Sequence, residues 1–211
     1  MPDLFRRAAA VLAVLICGEA ALAYEEPEYR VVATTDVFEV REYDSYIVAE
    51  TRVTGNLRRS GSVAFRRLAG YIFGKNVQQQ KMNMTAPVET RRADNEATMM
   101  LAQPSGEQSF RYAFVMERQY NLDTLPTPVD DSVSLREVPG RTVAVRTFSG
   151  RWTDKNYQRH ETELVNALRA AGYRLISAPM LARYDGPLTP WFMRRNEVMV
   201  EVEEPAAADG M

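Results

Sequence analysis

VREYDSYIVAETRVTG at Val40–Gly55 recurs ninety-five positions later, without a gap, as LREVPGRTVAVRTFSG at Leu135–Gly150. Each copy contains two β-like runs separated by a turn, and each leads into an amphipathic helical pattern. The positions that are identical in both copies are Arg41, Glu42, Val48, Ala49 and Gly55, which recur as Arg136, Glu137, Val143, Ala144 and Gly150. Because an internal repeat indicates repeated structural units, we predict two strand–strand–helix units within one domain.

The rest of the chain supports the α+β class. Asn56 is a suitable N-cap for a helix at 57–73, and Thr153 or Asp154 is suitable for a second helix that runs to about residue 171. Short β-like runs precede, separate and follow these two helices. Long stretches of strand with two separated helices predict helices packed on a mostly antiparallel sheet.

The two ends of the chain differ from the middle. Residues 1–23 have the features of a secretory signal peptide: a positive start, an apolar run at 8–16 and small residues before Tyr24. That run is too short to cross a bilayer, which takes about 20 apolar residues, so we predict export without a stable membrane span. The protein would be periplasmic in a Gram-negative bacterium. We expect a domain at 24–203, with repeats at about 28–124 and 132–203, and a flexible tail at 204–211.

Composition excludes several classes of function. The formal net charge is −2, which gives no electrostatic reason to expect nucleic-acid binding. Cys17 is the only cysteine and lies in the predicted signal peptide, so thiol chemistry is excluded; a lipid anchor on Cys17 is the alternative to cleavage. The chain has one histidine and no HExxH, GxSxG, CxxC or Gly-rich phosphate motif. We therefore predict a binding protein with no catalytic residues rather than an enzyme.

Some residues leave two interpretations open. His160 lies at the border of its helix's apolar stripe, so it is either an axial ligand to haem iron or, as we favour, a packed border residue. Phe110, Tyr112 and Phe114 share one strand face and either stack on a flat ligand or, as we favour, form sheet core. Glu197 lies opposite the valines of the last strand. It either meets a cationic ligand or, as we expect, faces solvent.

Several segments together resemble a known family. The chain is similar, over roughly residues 24–203, to the SOUL haem-binding proteins, which include the vertebrate haem-binding proteins. The segments that carry the resemblance are TAPVET at 85–90, GYIFG at 70–74, LREVPGRTVAVRTFSGRW at 135–152 and ARYDGPLTPWFMRRNEVMVEV at 182–202. The resemblance implies duplicated strand–strand–helix units that form a distorted, antiparallel, barrel-like sheet with two main helices, the fold of GyrI-like effector-binding domains.

The resemblance also implies a ligand and a place for it. A haem or related tetrapyrrole would bind in a shallow apolar cleft between the first helix and the loop before the last strand. Because His160 lies at the border of its helix and is the only histidine, we expect apolar contact to hold the ligand without a metal-ligating residue. The protein would act as a carrier or buffer. The residues of this chain that map to the cleft are Phe65, Leu68, Ala69, Ile72, Pro187, Leu188 and Trp191.

This chain departs from the family pattern in its charges. Vertebrate members place basic residues around the cleft, where the matching positions here are Ser62, Gly70 and Thr189; Arg66, Arg67 and Lys75 are nearby substitutes. Two alternatives therefore stay open. One is a GyrI-like binding module for another apolar or cationic small molecule. The other is a hydrolase or tetrapyrrole-modifying enzyme on the same scaffold. The sequence predicts no particular protein partner.

Overall fold

A computed structural model describes residues 24–93 and 108–205. The predicted signal peptide, a β-like run at 98–102 and residues 206–211 of the predicted tail lie outside the described residues. No helix within the described ranges has the length and apolar character needed to cross a membrane. The described elements are β1 (Tyr29–Thr34), β2 (Glu39–Tyr43), β3 (Tyr46–Thr54), α1 (Leu57–Ile72), β4 (Val88–Arg92), β5 (Ser109–Val115), β6 (Val133–Val138), β7 (Arg141–Phe148), α2 (Asp154–Ala170), β8 (Arg174–Leu175), β9 (Met180–Arg183) and β10 (Asn196–Glu203), with a 3-10 turn at Trp191–Met193.

Nine of these strands form a curled antiparallel sheet in the order β1-β2-β7-β10-β9-β4-β5-β3-β6, and β8 pairs with the end of β10. Two short connections hold the curl. Residues 44–45 alone join β2 to β3, although these strands lie near opposite edges of the sheet, and residues 139–140 alone join β6 to β7. The sheet is therefore a half-barrel with two helices, and the predicted α+β class is confirmed.

The strand registers relate the two halves of the molecule. Val40 of β2 pairs with Ala144 of β7, and Leu135 of β6 pairs with Ala49 of β3. The two pairs are related by the ninety-five-residue offset, because Val40 corresponds to Leu135 and Ala49 corresponds to Ala144. Each half then continues into a helix: α1 packs on β3 and β5, and α2 packs on β7 and β10. The two predicted strand–strand–helix units are present, while their origin by internal duplication stays a prediction.

The turn between strand and helix explains why glycine occupies the last position of both copies of the repeat. Gly55 and Gly150 have φ angles of 135° and 121°, a region that L side chains rarely adopt. A Cβ on Gly150 would also lie 2.7 Å from Nδ2 of Asn156. The helices begin directly after these turns, where side-chain oxygens of Asn56 and Thr153 accept hydrogen bonds from backbone N–H groups three residues on.

Both helices cover one face of the sheet, and the other face lines the inside of the half-barrel, here called the inner face. In β10, for example, Val198 and Val200 pack with Leu164 beneath α2. The intervening Met199 points the other way and packs on the inner face with Val115. The sheet is therefore buried on both faces, which a simple alternation of apolar and polar residues does not indicate.

Candidate functional site

The helical half of the predicted cleft separates into buried and exposed members. Leu68 and Ile72 are fully buried in the core between α1 and the sheet, and Ala69 is nearly so. Phe65 leaves 46% of its surface exposed. Its ring meets Phe114 of β5 edge to face, with the ring centroids 5.6 Å apart. Phe65 is thus the member of this set that offers apolar surface to a ligand, while the other three fix the helix that carries it.

A row of side chains extends from Phe65 across three neighbouring strands. Phe114 pairs with Val88 of β4, and Val88 pairs with Arg183 at the end of β9, so all three project from the helix-covered face. Because neighbouring strands lie about 4.8 Å apart, the row spans roughly 10 Å. Phe114 is buried in the core, as expected for sheet core, and Val88 and Arg183 are half-buried. We call Phe65, Phe114, Val88 and Arg183 the shelf.

Arg183 ends the shelf with a positive charge that no carboxylate of the described residues pairs with. Its Nε atom is buried and has no hydrogen-bond partner. Its guanidinium carbon lies 5.4 Å from the ring centroid of Trp152. Burial lowers the pKa of Arg183, because the charged form is taken out of water. A half-buried guanidinium without a counter-ion carries a desolvation cost, and a ligand carboxylate would offset that cost.

The loop half of the predicted cleft lies at 184–195, between β9 and β10. Pro187 and Trp191 are exposed, and Leu188 is 96% exposed. Pro187 and Leu188 line a cleft of about 590 Å³ that also contains Tyr24, and no residue of α1 or Trp191 forms part of its wall. A single cleft that unites the shelf with all three loop residues therefore stays a prediction.

The basic residues near the predicted cleft lie on the flank of α1 that is opposite the shelf. Arg66, Arg67 and Lys75 line a separate cleft of about 360 Å³. At 100° per residue, Arg67 is about 200° around the helix from Phe65. Arg67 also donates to Thr51 Oγ1 at 3.3 Å, over β3 rather than toward β4. These cations therefore face away from a ligand that sits on the shelf.

His160 is packed within the second unit. It is 8% exposed and its ring stacks on Phe148 with the centroids 4.2 Å apart. Its Nε2 lies 2.9 Å from a guanidinium nitrogen of Arg159, and its Nδ1 lies 3.3 Å from Nε of Arg146 and 3.4 Å from a carboxylate oxygen of Glu163. Burial and then the charge of Arg159 lower the pKa of the imidazole. Both ring nitrogens therefore contact protein groups.

Glu197 does not face solvent, so that expectation is wrong. Its side chain is fully buried on the inner face, where it pairs with Arg41 at 3.1 Å and Arg195 at 3.0 Å. Tyr184 donates its hydroxyl to Glu197 at 2.6 Å. Burial, followed by the charge of Glu197, raises the pKa of Tyr184. Arg195 also pairs with Glu26 at 2.9 Å. This carboxylate is already satisfied by two arginines and is not available to a cationic ligand.

Comparison with known proteins identifies relatives. A family model described as SOUL heme-binding protein matches residues 24–201. Heme-binding protein 2 of Mus musculus is 27% identical over 146 residues, which is 65% of this chain and 67% of that protein. Heme-binding protein 1 of Mus musculus is 31% identical over 137 residues, which is 64% of this chain and 67% of that protein.

Solved structures share the fold at much lower identity. The EcmrR C-terminal domain is similar with a TM-score of 0.58 and 15% identity, over 83% of this chain and 98% of that one. A hydrolase from Listeria innocua is similar with a TM-score of 0.52 and 8% identity, over 82% of this chain and 94% of that one. At these identities the similarity supports the fold and nothing about ligand or reaction.

Proposed function

This chain belongs to the SOUL heme-binding protein family, and we propose that it binds haem or a related tetrapyrrole on the shelf. The observation that carries this proposal is the half-exposed ring of Phe65, held edge to face on Phe114 beside half-buried Val88. An aromatic ring in this position offers a flat apolar surface, and the well-packed helix beneath it keeps that surface in place.

Apolar contact is sufficient to hold the macrocycle. Burial of apolar surface contributes roughly 25 cal/mol per Å², so a flat ligand reaches micromolar affinity without a bond to iron. The packing of His160 between Phe148 and three charged neighbours supports a site without an axial histidine.

Arg183 supplies the charge that a tetrapyrrole requires. Haem carries two carboxylate groups, and a guanidinium binds a carboxylate through charge-assisted hydrogen bonds. Arg183 is the shelf residue that lacks such a partner among the described residues. Arg183 would therefore bind a propionate of the ligand. Arg66, Arg67 and Lys75, on the opposite flank of α1, would not.

The cellular role follows from the N-terminal sequence. We propose an exported carrier or buffer of tetrapyrrole, periplasmic if the source is a Gram-negative bacterium, because residues 1–23 have signal-peptide features. N-terminal sequencing of the protein from an export-competent host tests this. A chain that starts at or near Tyr24 supports export, and a soluble chain that still starts at Met1 contradicts it.

A binding protein is the better proposal than an enzyme. Family membership supports binding, and the structural similarity to a hydrolase is limited to the fold. A module for cationic ligands is less well supported, because Glu197 is already paired with Arg41 and Arg195.

Titration of the purified protein with hemin tests the proposed function. We expect a saturable change in the Soret band with one hemin per chain and micromolar affinity. Spectra that stay flat, or a change that never saturates, would show that the chain does not hold haem in a defined site.

A further inference from the structure

The loop between β9 and β10 carries an unusual concentration of exposed apolar side chains, here called the apolar tip. Trp191, Phe192 and Met193 are all exposed within a single 3-10 turn, and Leu188 precedes them at 96% exposure. The ring centroids of Trp191 and Phe192 are 5.6 Å apart, so these rings form one surface. Phe192 and Met193 are not among the residues predicted to hold the tetrapyrrole. A cluster of this kind on a protein surface marks an interaction site.

The apolar tip is held in place by backbone contacts. Arg194 donates Nε to the carbonyl of Thr189 and Nη2 to the carbonyl of Pro187, both at 2.9 Å, so it secures the backbone on each side of Leu188. The N–H of Gly150 donates to the carbonyl of Trp191 at 2.9 Å, which ties the tip to the start of the second helical region. The apolar side chains are therefore held outward by the fold.

Two arginines flank the apolar tip. Arg151 lies 5.6 Å from the ring centroid of Trp191, and Arg194 lies 4.0 Å from that of Trp152. Neither arginine forms an ion pair with a carboxylate of the described residues. Of the nearby acids, Glu26 pairs with the side chain of Arg195, and Asp185 accepts a hydrogen bond from the backbone N–H of Arg195. The tip thus combines apolar side chains with two arginines that have no carboxylate partner among the described residues.

We propose that the apolar tip docks on an anionic phospholipid surface. Trp191, Phe192, Met193 and Leu188 would enter the boundary between headgroups and acyl chains, where tryptophan and other large apolar side chains are favoured. Arg151 would contact lipid phosphates, since each basic residue near an anionic bilayer strengthens binding roughly fivefold. Docking of this kind needs no membrane-spanning helix. Leu188 and Trp191 are shared with the predicted cleft, whereas Phe192 and Met193 are not, so substitutions at Phe192 and Met193 separate docking from tetrapyrrole binding.

Vesicle binding by the full chain tests the proposal. The variant that carries both Phe192→Ser and Met193→Ser is called the tip pair, and its side chains are 61% and 66% exposed. The control pair carries Phe73→Ser and Val77→Ser, which lie after α1 and are similarly exposed, at 55% and 64%. We expect sedimentation with phosphatidylglycerol-containing vesicles but not with phosphatidylcholine alone. The tip pair should weaken binding about tenfold and the control pair should not. Arg151→Gln should weaken it roughly fivefold.

The apolar run within residues 1–23 is present in every variant and could itself bind vesicles. A second measurement therefore reports whether the loop contacts the lipid. Brominated phosphatidylglycerol should quench the tryptophan fluorescence of the wild type and of the control pair, and not that of the tip pair. Equal vesicle binding and equal quenching by both pairs would overturn the proposal. The proposal would also be overturned if the protein does not bind vesicles but forms a dimer that the tip pair converts to a monomer, because the tip would then be a protein interface. Hemin affinity unchanged in the tip pair would separate this surface from the tetrapyrrole site.

Discussion

The charge cluster around Glu197 on the inner face and Arg183 on the helix-covered face differ in how their arginines are paired. On the inner face, Arg41 and Arg195 both pair with the fully buried carboxylate of Glu197. On the other face, Arg183 forms no ion pair with a carboxylate of the described residues, and its buried Nε has no hydrogen-bond partner there. The charges around Glu197 thus support the half-barrel, whereas the charge of Arg183, roughly 10 Å along the shelf from Phe114, remains available for a ligand. The following predictions test this contrast, from the largest expected effect to the smallest.

Glu197→Gln should have the largest effect, on stability. The substitution leaves Arg41 and Arg195 without their shared carboxylate, and removal of one partner of a buried pair costs about 3–5 kcal/mol. Urea unfolding followed by circular dichroism measures this loss. The matched control is Glu203→Gln, which breaks an exposed pair with Arg174 and should cost less than about 1 kcal/mol. Equal losses in the two variants would contradict the role given to the inner face.

Arg183→Met should act on ligand affinity instead of stability. Loss of one charge-assisted hydrogen bond to a propionate should weaken hemin binding about tenfold. The free energy of unfolding should change little, because Arg183 is half-buried and forms no ion pair whose loss would destabilise the fold. Hemin dimethyl ester, which lacks the carboxylates, should bind both proteins equally. Arg66→Met on the opposite flank of α1 is the control and should change neither affinity.

His160→Ala should leave the affinity for hemin within about threefold of the wild type, because both ring nitrogens already contact protein groups. The measurement is the same hemin titration, together with an absorption spectrum of the complex. Loss of binding along with a low-spin spectrum, in a variant that remains folded, would identify His160 as an iron ligand and contradict the shelf.

The smallest effect should be a change in how stability depends on pH. The folded protein lowers the pKa of His160 below its unfolded value of about 6.5, so the unfolded chain binds the proton more readily. This contribution to stability is therefore complete above about pH 6.5 and is lost as the pH falls through the folded pKa. His160→Gln should flatten the decrease in unfolding free energy between about pH 7 and pH 5. An identical pH profile in the variant would rule out this source.

Much of the fold was predictable from the sequence because it depends on local patterns. The repeat at Val40–Gly55 and Leu135–Gly150 gave the two units, and their strand registers obey the same offset. Asn56 and Thr153 cap the helices because their side chains reach backbone N–H groups only three residues away. The curl of the sheet was less predictable, since it results from which strands pair and from the two short connections.

The site was less predictable because it depends on contacts between distant segments. Helical periodicity identified Leu68 and Phe65 as one stripe but did not separate the buried residue from the exposed one. No local signal marked Arg183, whose importance depends on Val88 beside it and on the lack of a partner. The predicted solvent exposure of Glu197 was wrong because strand alternation assumes that one face of the strand is in contact with solvent, while both faces of β10 are buried.

Hemin titration of the wild type beside Phe65→Asp tests the central claim most directly. Phe65 is half exposed, so the variant should remain folded with a modest loss of stability, which urea unfolding measures, yet it places a charge where the macrocycle would lie. Phe73→Asp, at a similarly exposed ring beyond the end of α1, is the control. We predict one hemin per chain for the wild type and the control, and at least a tenfold loss of affinity for Phe65→Asp. Equal hemin affinity in all three proteins would contradict the claim that the shelf holds the ligand.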